Sequence, residues 1–171
     1  MTVSVRTTDS RGSDRRWIES VYRDYLNDLA PSGTGVFPAL GEIGHRASDL
    51  LANWFNDPGA RVITIANDER PVGFALVRIR QPLDGSGSSS HLMAEFFIAR
   101  QWRRRGVGQA AVRLIFDRFA GQWHIMEDLR NGGAVAFWRA VLRDYTGGAF
   151  RERSGNGELH QFFESPQRRG R

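Results

Sequence analysis

Apolar and polar residues alternate from Thr2 to Thr7, with Val3 and Val5 on one face, which predicts a short first strand. The period then lengthens. Ile18, Val21, Tyr22, Tyr25 and Leu29 recur at helical spacing behind Ser13 or Asp14 as a cap, and Pro31 stops the run. The stretch 31–44 is rich in Gly and Pro and predicts a loop that orders over substrate, followed by a short helix from His45 to Phe55 and a turn at Asn56 to Gly59. Arg61 to Ala66 and Pro71 to Arg80 are apolar runs joined by a tight connection, the signature of an antiparallel hairpin. A Ser/Gly-rich loop at Asp84 to Ser90 precedes a central strand, His91 to Ala99.

The segment Glu95 to Ala111, EFFIARQWRRRGVGQAA, joins the end of that strand to the start of a helix over Gln109 to Phe119. Gly106 and Gly108 bracket Val107 where the helix begins. The first N–H groups of a helix have no intrahelical acceptor and carry roughly half a positive charge, and glycines let an anion approach the backbone. The turn therefore reads as a phosphate cradle. Beyond it, Trp123 to Asp128 predicts a strand and Ala134 to Arg143 a helix with Ala134, Phe137, Trp138, Val141 and Leu142 on one face. Two short strands, near Ala149 to Arg153 and Leu159 to Glu164, flank a Gly-rich turn, and the last residues, 166–171, predict a disordered tail.

The turn and its surroundings resemble the GNAT superfamily of N-acetyltransferases. Its signature, Gln/Arg-x-x-Gly-x-Gly/Ala, is matched by Arg103-Arg-Arg-Gly106-Val-Gly108, five residues after the aromatic-aliphatic pair Phe97-Ile98. A second element, Asn131, Ala134, Phe137 and Trp138, follows at the expected distance, so the resemblance covers residues 91–143. Gly106 to Ala111 also satisfies the dinucleotide pattern G-x-G-x-x-G/A, with Glu127 or Asp128 about 20 residues on. That reading places the first glycine directly after a strand, whereas Ala99 to Arg105 intervenes here, so NAD(P) binding is the weaker alternative.

The resemblance implies an α/β fold in which a mixed, largely antiparallel sheet, with helices on both faces, is splayed between the central strand and the next to admit acetyl-CoA. One domain over 1–165 is expected. Phe96, Phe97 and Ile98 would offer main-chain groups to the cofactor's pantetheine amides, with the strand bulged near Phe97 and Ile98. Arg103, Arg104, Arg105, Gly106, Val107, Gly108 and Gln109 would hold its phosphates, and Asn131, Ala134, Phe137 and Trp138 its arm. Arg139 and Arg143 are further candidates for the ribose phosphate. Tyr22, Tyr25 and Phe37 would wall the acceptor pocket. The implied activity is direct transfer of acetyl to a primary amine, on a small molecule or a protein. Where relatives often have a Tyr that protonates the leaving thiolate, this chain has Trp138, and indole N–H is a poor acid.

Composition narrows the chemistry. The 171 residues contain no cysteine, which removes disulfides, thiolate metal sites and an acyl-cysteine intermediate. All 24 basic residues are Arg, which excludes a Schiff-base lysine or a P-loop lysine. A net charge of +5 favours an anionic partner. Coenzyme A is one; nucleic acid is another, but no nucleic-acid module accompanies the Arg patch, so none is expected. The four histidines lack metal-ligand spacing, so no metal is expected. No apolar run is long enough for a membrane span and the N-terminus lacks a signal-peptide core, which points to the cytoplasm. A homodimer is left open. Glu95, an acid inside an apolar strand, is the candidate general base by desolvation; an ion pair with one of the Arg residues is the competing reading. With no Tyr at position 138, a non-catalytic acyl-CoA-binding module remains the alternative function.

Overall fold

The computed structural model describes residues 1–29, 47–81 and 89–166. Phe37, the expected loop 31–44, residues 84–88 and the tail from 167 lie outside the described residues. In chain order the elements are β1 (Val3–Thr7), α1 (Ser13–Leu29), α2 (Ala47–Asn56), β2 (Ala60–Asn67), β3 (Arg70–Arg80) and β4 (Ser90–Ile98). A 3-10 turn (Arg100–Trp102) leads to α3 (Val107–Arg118), β5 (Gly121–Asp128), α4 (Gly132–Thr146), β6 (Arg151–Gly155) and β7 (Glu158–Ser165). The strands form a sheet in the order β1-β2-β3-β4-β5-β7-β6. β4 and β5 run parallel and the other described neighbours antiparallel.

The middle strands are buried on both faces, which is why β2 and β3 read as continuous apolar runs rather than alternating ones. Phe74 and Leu76 of β3 face Ile18, Tyr22 and Tyr25 of α1 and Leu51 and Trp54 of α2. Their neighbours Ala75 and Val77 face the other way, toward Val112, Ile115 and Phe116 of α3 and Trp138, Val141 and Leu142 of α4. Helices thus cover both faces of a mixed sheet, as expected.

Two irregularities in β4 shape the site. Leu76 pairs with Glu95 but Val77 pairs with Met93, so Ala94 is an extra residue, a bulge. An extra residue reverses the alternation of every side chain after it. Met93 therefore packs with the α3/α4 core, whereas Glu95 comes round to the α1 side. The bulge lies at Ala94 rather than at Phe97 and Ile98, which pair regularly with Phe74 and Gly73. Gly73 explains that regularity: a Cβ there would stand 2.3 Å from the Phe97 carbonyl oxygen, so only glycine permits the close strands. The second irregularity is that β4 pairs with β5 only from Ser90 opposite Gln122 to Met93 opposite Ile125. Past the bulge the two strands part.

Candidate active site

The parted strands open a cleft of about 530 Å³. Its walls come from both faces of the sheet: Tyr25 and Asp28 of α1 on one, Phe137 and Trp138 of α4 on the other, with Phe96, Phe97 and Ile98 between. Phe96 stacks on Phe137, ring centroids 5.7 Å apart, and meets Trp138 edge-on. Arg104, Gly106, Gly108 and Gln109 close one end, and Asn131, Gly133 and Ala134 lie across from them. Two helix N-termini, those of α3 and α4, therefore border one space, and each brings unpaired N–H donors and partial positive charge.

The Arg-rich turn is tied down from within. Arg103 Nε donates to the Ile98 carbonyl at 2.7 Å, and its guanidinium bonds Asp28 and lies over the Phe97 ring. Burial would raise the Asp28 carboxyl, but hydrogen bonds from Arg103 and Arg100 hold it below the usual carboxylate value. Arg104 has φ +59° and is exposed, and Gly106, the residue before α3, has φ +77°. A Cβ on Gly106 would meet no atom within 4 Å, so open space lies above the donors. Gly108 serves differently: a Cβ there would stand 3.3 Å from Phe137, so its absence lets α3 and α4 come together. Asn131 Oδ1 accepts from the Ala134 N–H at 3.1 Å and caps α4.

Several expected site residues stand elsewhere. The Val107 side chain is fully buried with Ile65, Val72 and Ile98, and the residue is not among those that line the cleft. Arg105 lies over the Trp102 ring and does not line the cleft. Arg139 makes a two-point ion pair with Glu152, at 2.9 and 3.0 Å, and is not among the residues that line the cleft. Tyr22 packs edge-on against Trp54 in the core and also lies outside the lining. Asp28 and Gly133 line the cleft and were not singled out in the sequence. Asp28 is one helical turn from Tyr25, but nothing local marks it, because its partner Arg103 is 75 residues away.

Glu95 has no arginine partner among the described residues; its hydrogen bond comes from the Tyr25 hydroxyl. Burial pushes the Glu95 carboxyl up to about 7. Burial, and then the Glu95 charge, pushes the Tyr22 phenol up to about 12. Tyr25 lines the cleft and Glu95 does not. The carboxyl is thus joined to the cleft lining through the phenol.

Residues 18–142, well over half of the chain, match the Acetyltransferase (GNAT) family. The chain belongs to this family.

Solved structures agree on the fold. A GNAT family acetyltransferase from Streptococcus agalactiae superposes with a TM-score of 0.66 at 13% identity, covering 96% of each chain. The PaiA N-acetyltransferase of Thermoplasma acidophilum, solved with coenzyme A, gives 0.63 at 10% identity, covering 96% of this chain and 99% of its own. NAA60 of Arabidopsis thaliana, solved with acetyl-CoA, gives 0.61 at 13% identity, covering 95% and 98%. No curated protein sequence matches the chain. The GNAT sheet also removes the dinucleotide reading, which requires a doubly wound parallel sheet, whereas β4 and β5 are the one parallel pair described. Among the described residues no helix is long and apolar enough to cross a membrane.

Proposed function

We propose that this GNAT protein is an N-acetyltransferase that moves acetyl from acetyl-CoA directly to a primary amine. The observation that carries the reading is the cleft through the parted sheet, with helix N-termini at one end and the Tyr25–Glu95 pair beside it. The open space at Gly106 and the donors of Gly108 and Gln109 suit the pyrophosphate. The aromatic floor of Phe96, Phe97 and Phe137 suits the narrow arm. The edge of β4 after Met93, unpaired with β5, suits its amides. Acetyl-CoA supplies an activated thioester, so this chain has to bind, orient and remove a proton. The partly buried Glu95 carboxyl is the terminal base for that proton.

The reading extends to one catalytic domain over 1–165, acting in the cytoplasm on a small-molecule or protein amine, alone or as a homodimer. A thiol-colour assay tests it with little background, because the protein has no cysteine. Free thiol released from acetyl-CoA should depend on an amine and should rise with pH through about 7 as Glu95 ionises. Firm acetyl-CoA binding without amine-dependent release across a broad panel would instead make the protein an acyl-CoA-binding module, the reading that Trp138 favours.

A further inference from the structure

Glu95 is partly exposed but is not among the residues that line the cleft. Tyr25 Oη donates its hydrogen bond to the Glu95 carboxylate, and Tyr25, not Glu95, lines the cleft. That arrangement has a direction: a phenol whose proton points at a carboxylate has only oxygen lone pairs left to offer on its other side. The Tyr25 side chain is fixed. Tyr25 is 4% exposed and wedged edge-on against Phe74 and Phe97, centroids 5.3 and 5.7 Å away. Glu95 is turned toward it by the Ala94 bulge.

We propose that Tyr25 is the group that contacts the acceptor amine and that Tyr25 and Glu95 form a two-member proton relay. This rests on the acetyltransferase reading and deepens it by placing a phenol between substrate and base. As the C–N bond forms, the amine proton passes to Tyr25 Oη while the phenolic proton passes to Glu95 Oε2. The C–S bond breaks with its electron pair on sulfur. Glu95 then returns its proton to solvent and the thiolate takes one from water, so no acid is needed at position 138. The raised carboxyl of Glu95 accords with a base that still accepts a proton near neutral pH. A relay of this kind uses Tyr25 only transiently as a donor and acceptor, so the phenol never has to ionise in free form.

The test is a double-variant cycle of Tyr25→Phe, Glu95→Gln and both together. Each single change should lower kcat by about 10²-fold, and the double variant should be no slower than the slower single, because either break interrupts one path. Acetyl-CoA affinity by calorimetry should stay within a few-fold in all three. In the ligand-free protein, carbon-13 NMR of the Glu95 carboxyl should titrate at higher pH in Tyr25→Phe, since the charged form loses its hydrogen-bond donor. Losses that multiply in the double variant, or a Glu95 titration unmoved by Tyr25→Phe, would overturn the relay. Full activity in Tyr25→Phe with loss in Glu95→Gln would overturn it too, while keeping Glu95 as base. Full activity in both singles would remove relay and base together, and only the absence of any amine-dependent release in the parent protein would remove the acetyltransferase reading itself.

Discussion

Arg103 directs its guanidinium at the carbonyl of Ile98, 2.7 Å away and five residues earlier, and so fastens the turn to the end of β4. The first residue of the motif is thus a structural clamp as well as a charge, shared with Asp28 of α1. Arg104, one residue on, is exposed and lines the cleft.

These neighbours should fail in different ways. Arg103→Ala should weaken coenzyme A binding by roughly 10-fold and lower the melting temperature with it, since a half-buried charge pair is broken and Asp28 loses a partner. Arg104→Ala should weaken binding with the melting temperature unchanged and with a smaller dependence of Kd on salt. Calorimetry and thermal melts on both variants decide it, and equal melting temperatures would return Arg103 to the role of a simple phosphate ligand.

Glu127 of β5 is buried, and neither carboxyl oxygen has a hydrogen-bond partner among the described residues. Burial, then the Glu152 charge, pushes its carboxyl up to about 7, against the opposing charge of Arg139. Unfolded, it titrates near 4.3. Between those values the folded protein holds a proton that the unfolded chain has released, so stability falls as pH rises through that window and the loss is complete above about 7. Glu127→Gln should therefore resemble the parent at pH 5 and be more stable at pH 8, by up to about 3 kcal/mol. Urea unfolding at the two pH values measures this, and a difference that does not change with pH contradicts it.

Gly73→Ala should destabilise the fold by roughly 1–3 kcal/mol or more, because its Cβ would overlap the Phe97 carbonyl oxygen and the strands would have to separate. The displaced main chain belongs to the cleft wall, so acetyl-CoA affinity should fall as well. Unchanged stability and affinity in this variant would mean that β3 and β4 do not approach so closely.

The order of strands and helices was legible because each carries its own period: 18–29 repeats like a helix and 123–128 like a strand. Boundaries moved by a few residues, as at α3, which begins at Val107 rather than Gln109. The cradle was legible because glycines and arginines crowd one turn. What escaped were relations between distant residues. The position of the bulge depends on how β4 meets β3, so nothing in AEFFI distinguishes Ala94 from Phe97. Tyr25 and Glu95 are 70 residues apart, and only the packing of α1 on the sheet brings them together. Val107 sits inside the motif, yet its side chain belongs to the core, because at the first turn of a helix the backbone can face a ligand while the Cβ faces inward.

A sheet that parts in its middle has four rims instead of two. Besides β1 and β6 at the outside, the last residues of β4 and those of β5 are edges, and exposed edges recruit foreign strands. Among the described residues the turn and α4 border this gap, and the amide-bearing arm of the acyl donor would occupy it as a surrogate strand. Loss of the donor should then make the protein more prone to self-association at high concentration, which light scattering with and without acetyl-CoA would measure.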